Sequence, residues 1–486
     1  MRFFETIFLA LVVVSFLNSF FIKKKGLLLV LPLVALILAG ASVLLEGYRI
    51  HVIPAYIIAF ILLLTGVCRT LLPEIKIHKA IRIISLFILI PAAIAAVTAP
   101  FLFPVVSLPK PTGAYAVGTQ YMSFEDFERK ECFSTTEEYR NVPVQVWYPA
   151  SEVSGKKCAT WINSSKAMDY FAEYRKLPNL LGHLSLVKTN SHLNASISAK
   201  EKKYPVIVFS GGAAMFYGQN VIQMEELASH GYIVFAVGHP YEDFADIYPD
   251  GRLVPYSQEQ QIKLSMDIKQ AVETAKQSKI NENSPEFTKL VLRNAKSNNE
   301  SVKIWADDIT FVINKIEELD KGKESGIFKG KLDIASIGVF GHSFGGAASG
   351  QACLKDSRIK AFANMDGGVF GDATDKCISQ PFMILTTGGK EKSRITEGYS
   401  NQQKNYIMVA VAGAKHMNFS DLNSLIPVLG KLTGFLGNIS EKRQNEITNT
   451  YLLAFFDREI KGEDNNLSLL KQGASKKYHE VTVEIH

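Results

Sequence analysis

The residues of this chain that can do chemistry lie in four short stretches. The first is "SIGVFGHSFGGAA" (336–348), where an apolar run meets Ser343 between Gly341 and Gly345. A serine hydroxyl is a weak nucleophile at neutral pH and needs a general base and a group that orients the base. The G-x-S-x-G spacing makes a sharp strand-to-helix turn that lifts the hydroxyl clear of the backbone. Gly341 and Gly345 leave out side chains that such a turn would bring together, and Gly346, Ala347 and Ala348 let the following helix lie close to a sheet. The expected base is His416 in "AGAKHMNFSD", the only histidine between Ser343 and the tail residues His479 and His486. The expected orienting acid is Asp366, which closes "IKAFANMD" (359–366); Asp372 and Asp375 in the next loop are its rivals. His342 adjoins the serine, so its ring leaves the turn in another direction. Acyl transfer also needs two backbone N–H groups aimed at the developing oxyanion. The expected donors are Phe344, next after the serine, and Ala213 in "VIVFSGGAAMF".

These residues need a frame that brings them together. "YPVIVFSGG" (204–212), "GYIVFAVGHP" (231–240), "IASIGVF" (334–340), "IKAFANMD", "PFMILTTGG" (381–389) and "NYIMVAVAG" are short continuous apolar runs, the pattern of buried parallel strands. "VPVQVWYPA" alternates like a strand. Helical spacing separates the runs. It is seen in "GQNVIQMEELASHG" and across about 257–320, where Ile309, Val312, Ile313 and Ile316 share one face. Strands alternating with helices predict an α/β fold with a mainly parallel sheet, and chemistry on such sheets gathers at the carboxyl ends of the strands. The order Ser343, Asp366, His416 is that of the α/β-hydrolases.

The first 109 residues are of another kind. They are mostly apolar, with stretches at roughly 4–22, 26–45, 52–68 and 82–106, each near the ~20 residues a membrane-crossing helix needs. The chain's formal charge is +6. Nine Lys or Arg against three Glu in residues 1–109 account for all of it, so residues 110–486 are balanced and do not advertise nucleic-acid binding. The basic loops, Lys23 to Lys25 and the 69–82 segment with Arg69, Lys76, Lys79 and Arg82, are expected on the cytoplasmic side. Four spans then place both ends, and residues 110–486, outside; three spans would leave the enzyme in the cytoplasm. The expected division is 1–109 for the membrane and 110–486 for the catalytic domain. An exported domain permits disulfides, with Cys132–Cys158 and Cys353–Cys377 as possible pairs. None of the five cysteines shows metal-ligand spacing and the ten histidines do not cluster, so no metal or cofactor is expected. The aromatic and aliphatic segment 161–188 is a candidate cap, membrane-contacting patch or core insertion.

"YPVIVFSGG", "LASHGYIVFAVGHP", "IGVFGHSFGGAA" and "KHMNFSD", with the earlier "GAYAVGTQYMSF" and "VPVQVWYPA", resemble the type II (plasma-type) platelet-activating factor acetylhydrolases, in the dienelactone-hydrolase-like branch of the α/β-hydrolases. The resemblance covers about 112–460. It implies a metal-free Ser–Asp–His triad at Ser343, Asp366 and His416, oxyanion donors at Ala213 and Phe344, and cleavage of short or oxidised acyl groups from phospholipids. In one departure, Gly211 stands where that family often has histidine. The expected protein is a membrane-anchored serine ester hydrolase acting on a lipid or small ester. Two other readings stand beside it: the same machinery turned to a lactone, polyester or peptide, and a non-catalytic membrane receptor on the same fold.

Overall fold

The computed structural model describes residues 2–22, 24–72, 79–134, 136–323, 326–388, 398–399, 405–464 and 466–486. Lys23, Lys76 and Gly389, and the side chains of Lys79 and Arg82, lie outside the described residues. The chain forms two compact units, Met1–Ser107 with Leu177–Val187, and Leu108–Lys176 with Lys188–His486.

The first unit is helical. Phe3–Leu17 runs on through a wide turn at Asn18–Ile22, and Leu27–Glu46, Ile53–Leu71 and Lys79–Leu102 follow. Among the described residues, four helices are long and apolar enough to cross a membrane, with mean hydropathy between 2.0 and 2.8. The last stops at Leu102, short of the expected 106. Pro104 has no N–H to give and disfavours a helical Phe103. Ala35, Ala39, Ala55 and Ala59 are buried with Phe8, Val12, Ile58 and Leu62, small residues that let helices approach closely. The Glu46 carboxylate accepts from the N–H groups of Phe4 (3.0 Å) and Glu5 (3.1 Å), two donors the first helix cannot satisfy itself. The segment 161–188, read as one connection from the sequence, is divided. Leu177–Val187 belongs to this unit, with the His183 ring edge-on to His51 at 4.8 Å.

The second unit is built on one large sheet. Its eight principal strands are β1 (Ala116–Lys130), β2 (Tyr139–Glu152), β3 (Tyr204–Ser210), β4 (Ile233–Val237), β5 (Leu332–His342), β6 (Ile359–Met365), β7 (Phe382–Thr387) and β8 (Tyr406–Val411). They lie in the order β1-β2-β4-β3-β5-β6-β7-β8. β1 and β2 form an antiparallel pair, β2 meets β4 antiparallel, and all pairs from β4 to β8 are parallel. Val481–Ile485 extends the β8 edge and Lys188–Leu193 the β1 edge.

The continuous apolar runs serve two faces at once, because alternate residues of a strand point to opposite sides. Val206, Val208, Val339 and Phe362 pack with Trp305, Ile309, Val312 and Ile316 of helix Lys296–Lys321. On the other face, Phe209 meets Phe340 at 4.6 Å, and Phe340 meets Phe456 of helix Glu441–Phe456. All five cysteines are free thiols, so neither Cys132–Cys158 nor Cys353–Cys377 is joined.

A buried ion cluster fastens β2 to the long helix. The guanidinium of Arg140 meets both Asp308 oxygens at 2.7 Å and Glu131 at 2.9 Å. Arg129 adds a contact to Asp308 at 3.0 Å. Burial alone would raise the Asp308 carboxyl, but Arg140 holds it well below the carboxylate range. Removing one partner strands the others without solvent. Asp308→Ala should therefore cost about 3–5 kcal/mol, read as a lower urea midpoint of the full chain in detergent. A loss under about 1 kcal/mol, the value of an exposed pair, would refute the role.

Candidate active site

Ser343 stands at the end of β5 with φ +56° and ψ −122°, a conformation that L residues rarely adopt. Its N–H donates to the Met365 carbonyl on β6 (2.8 Å) and its own carbonyl accepts from Gly346 (3.0 Å), so the turn is tied to the sheet on one side and to helix Phe344–Lys355 on the other. A Cβ on Gly345 would lie 2.2 Å from the Ser210 carbonyl oxygen, and one on Gly341 would lie 2.2 Å from the Gly345 carbonyl carbon. Both glycines are thus required by contact, as their spacing suggested.

Asp366 closes β6, also at φ +56°, and its N–H donates to Leu385 on β7 (2.7 Å). Its carboxylate accepts from three donors: the Thr386 hydroxyl (2.8 Å), the Thr387 N–H (3.1 Å) and His416 Nδ1–H (2.7 Å). Burial raises such a carboxyl, but these donors, His416 foremost, outweigh it and leave the group below its ordinary value. The structure thus brings Asp366 to His416. It leaves Asp372 and Asp375 at the surface, paired with Lys303 and with Arg293. Thr386 and Thr387 escaped the sequence reading. Their signal was two polar residues closing an otherwise apolar strand.

Ser343, His416, Gly212, Ala213 and Met417 line one cleft of about 360 Å³. The His416 side chain is 41% exposed there, while its Asp366 partner is buried. The Ser343 hydroxyl holds no hydrogen bond among the described residues, which leaves it free to turn. The N–H groups of Ala213 and Phe344 likewise have no acceptor among the described residues. Phe344 is the first residue of its helix, where N–H groups lack intrahelical partners and favour negative charge.

A second set of residues, unforeseen from sequence, ties this loop to His416. The Gly212 N–H can only donate, so the atom 2.8 Å from it is the Gln219 carbonyl oxygen Oε1. The Gln219 NH₂ then faces His342 Nδ1 at 2.9 Å, which must accept, and Asn220 Oδ1 at 2.8 Å. With Nδ1 accepting, His342 carries its proton on Nε2 and donates it to the His416 carbonyl at 3.1 Å. Burial, then the nearby His416, pushes the His342 ring down to about 3, so it stays neutral and keeps this tautomer. Gln219 is fully buried. The sequence signal for it was the polar pair Gln219–Asn220 inside "MFYGQNVIQM".

One other serine, histidine and aspartate fall in line. Ser210 Oγ lies 2.8 Å from His239 Nε2, and His239 Nδ1 lies 3.0 Å from Asp308. All three are buried, with His239 stacked on Trp305 at 3.8 Å.

The strand order and the turn at Ser343 define an α/β-hydrolase. A solved ferulic acid esterase from Streptomyces cinnamoneus shares the fold, with a TM-score of 0.60 at 22% identity, over 78% of this chain and 99% of that one. Residues 102–476 match the family described as platelet-activating factor acetylhydrolase, isoform II. Proteins named platelet-activating factor acetylhydrolase are similar to the chain. That of Canis lupus familiaris is 26% identical over 74% of this chain and 82% of its own. That of Cavia porcellus is 27% identical over 74% and 79%. A probable 1-alkyl-2-acetylglycerophosphocholine esterase of Arthroderma benhamiae is 30% identical over 30% of this chain and 43% of its own. The chain belongs to the platelet-activating factor acetylhydrolase, isoform II, family and is a carboxylic ester hydrolase.

The Gln219 bridge makes a prediction. Gln219→Glu keeps an acceptor for Gly212 but, as a carboxylate, cannot donate to His342 Nδ1, which then takes a proton itself, either by giving up the one on Nε2 or by becoming an imidazolium. Ester hydrolysis should lose about 10–100-fold in kcat with KM little changed, and ¹⁵N NMR of the histidines should show His342 protonated at Nδ1. An unaltered tautomer and kcat would eliminate the bridge.

Proposed function

We propose that the chain is a membrane-anchored serine hydrolase that removes short or oxidised acyl groups from phospholipid-like esters. Residues 110–486 form its catalytic domain and residues 1–109 its anchor. The observation that carries the chemistry is the gathering of Ser343 and His416 on one cleft, with Asp366 bonded behind the histidine. His416 Nε2 takes the Ser343 proton as Oγ attacks the acyl carbon, and the N–H groups of Ala213 and Phe344 receive the oxyanion. As the ester C–O bond breaks, the imidazolium returns the proton to the departing alcohol. Water, activated by the same ring, then releases the acid and restores the serine. Asp366 holds the ring in the needed tautomer and stabilises its charge.

The substrate class rests on the names of the relatives and on the cleft, whose ~360 Å³ sits at the small end of ligand sites and suits a short acyl ester. The anchor rests on the four apolar helices and on what they show outward. Leu44, Leu45 and Phe87 are 85%, 70% and 78% exposed, side chains that lipid accepts and water does not. With the basic loops held in the cytoplasm, both chain ends and the catalytic domain face outside.

Two measurements follow. A fluorophosphonate should label Ser343 and fail on Ser343→Ala, while Asp366→Asn should lower kcat on the order of 10³–10⁴-fold; labelling that survives Ser343→Ala would dismiss the assignment. On intact cells an impermeant thiol reagent should reach Cys132, which is exposed. Protection until the membrane is broken would replace this topology with a cytoplasmic enzyme.

A further inference from the structure

We infer that Asn364 is a positioning residue for ester hydrolysis: its buried amide closes the turn that aims Asp366 at His416 and sets that turn against the one carrying Ser343. The inference rests on the reading of those three residues given above. Asn364 interrupts an apolar strand. Of the two polar side chains on β6, Lys360 is exposed and Asn364 is wholly buried. A buried amide is costly unless its hydrogen bonds are made, so the partners it finds show what holds it there.

The Gly367 N–H can only donate, so the atom 2.8 Å from it is the Asn364 carbonyl oxygen Oδ1. The Asn364 NH₂ then donates to the Gly367 carbonyl (3.0 Å) and to the Tyr399 hydroxyl (2.6 Å). That hydroxyl donates onward to the Gly368 carbonyl at 3.3 Å. One side chain thus pairs with both backbone groups of the residue that follows Asp366. Among the described residues, neither group of Gly367 has a backbone partner. Asp366 stands between β6 and this clamp at φ +56°, a strained conformation that persists only where its surroundings enforce it. Without the amide, two buried backbone groups lose their partners. The turn then relaxes and carries the carboxylate away from His416 Nδ1.

The same amide lies against the Ser343 turn. A Cβ on Gly346 would stand 2.1 Å from Asn364 Oδ1, and one on Gly367 would stand 2.1 Å from the Ser343 carbonyl oxygen. These two glycines let the nucleophile's turn and the acid's turn close on one another with Asn364 between them. A displacement of about 1 Å in such a constellation costs on the order of 10²-fold in rate.

The test uses the full-length protein in detergent with p-nitrophenyl acetate as the ester. Asn364→Ala should lower kcat about 10–100-fold with KM little changed. It should also move the acid limb of the kcat/KM profile to lower pH. A carboxylate held against Nδ1 favours the charged ring, and one that has swung away leaves the ring to shed its proton at lower pH. Tyr399→Phe keeps the pair with Gly367 and removes one acceptor. It should move both readings the same way, with kcat down about two- to tenfold. Tyr232→Phe removes another buried hydroxyl, which donates to Asp457 at 2.8 Å, and should leave kcat and the acid limb as in the wild type. An acid limb that stays in place in Asn364→Ala, whether or not kcat falls, overturns the inference, and so does the same shift in Tyr232→Phe. If Asn364→Ala does not fold, Tyr399→Phe decides by the same reading. A wild type that neither cleaves the ester nor takes a fluorophosphonate at Ser343 removes the hydrolase reading and the inference with it. A labelled, active wild type whose variants keep the acid limb removes the inference alone.

Discussion

Ser343 and Asp366 both sit at φ +56° at the carboxyl ends of neighbouring parallel strands, and the ladder between strands holds them there. Each left-handed residue costs about 1–3 kcal/mol. Each is met by a bond to the next strand, Ser343 N–H to Met365 and Asp366 N–H to Leu385. The two reversals are therefore steps of one staircase, from β5 to β6 to β7. Everything chemical hangs on that register. A strand slipped by one residue would turn Ser343 into the sheet and carry Asp366 away from Thr386, Thr387 and His416. The apolar strands thus position the site as well as fill the core.

The proposed oxyanion loop and the His416 loop come from distant parts of the chain and have no strand bond to share. A buried polar bridge joins them instead: Gly212 to Gln219, Gln219 to His342, His342 to the His416 backbone. Such a network is costly when incomplete and specific when complete. Here every donor finds an acceptor, which fixes one amide orientation and one tautomer. Gly211, where the resembled family often has histidine, leaves its loop without a polar side chain at that position. Gln219, eight residues on, supplies the side-chain bond that holds the adjacent glycine.

This division explains what could be read from the sequence. The apolar runs of β3 to β8, the glycines around Ser343 and the stripe Ile309–Val312–Ile313–Ile316 are local signals set by strand and helix periods, and the structure carries them as elements. The order of serine, acid and histidine is also local to each strand end. What stayed hidden depends on contacts across tens or hundreds of residues. No spacing tells that Gln219 meets His342, that Thr386 bonds Asp366, or that Leu177–Val187 leaves its own connection for the helical unit. The choice among Asp366, Asp372 and Asp375 was open for the same reason. It turns on which carboxylate lies on the buried side of His416 and which find lysine or arginine in solvent.

The two lines of serine, histidine and aspartate show why geometry alone does not make a nucleophile. Ser210, His239 and Asp308 are spaced as well for proton transfer as the residues of the cleft. Their aspartate, however, is claimed by Arg140 and Arg129, whose cations already balance it. Burial, then those same arginines, disfavours a charged His239, and only its bond to Asp308 favours one. An imidazolium there would have neither solvent nor a spare anion to stabilise it. At Asp366 the donors are two Thr groups and His416, with no competing cation among the described residues, so the carboxylate's charge remains available to the ring. The same three side-chain types thus brace the sheet in one place and line the open cleft proposed for acyl transfer in the other. Solvent access and the absence of a rival cation separate the two.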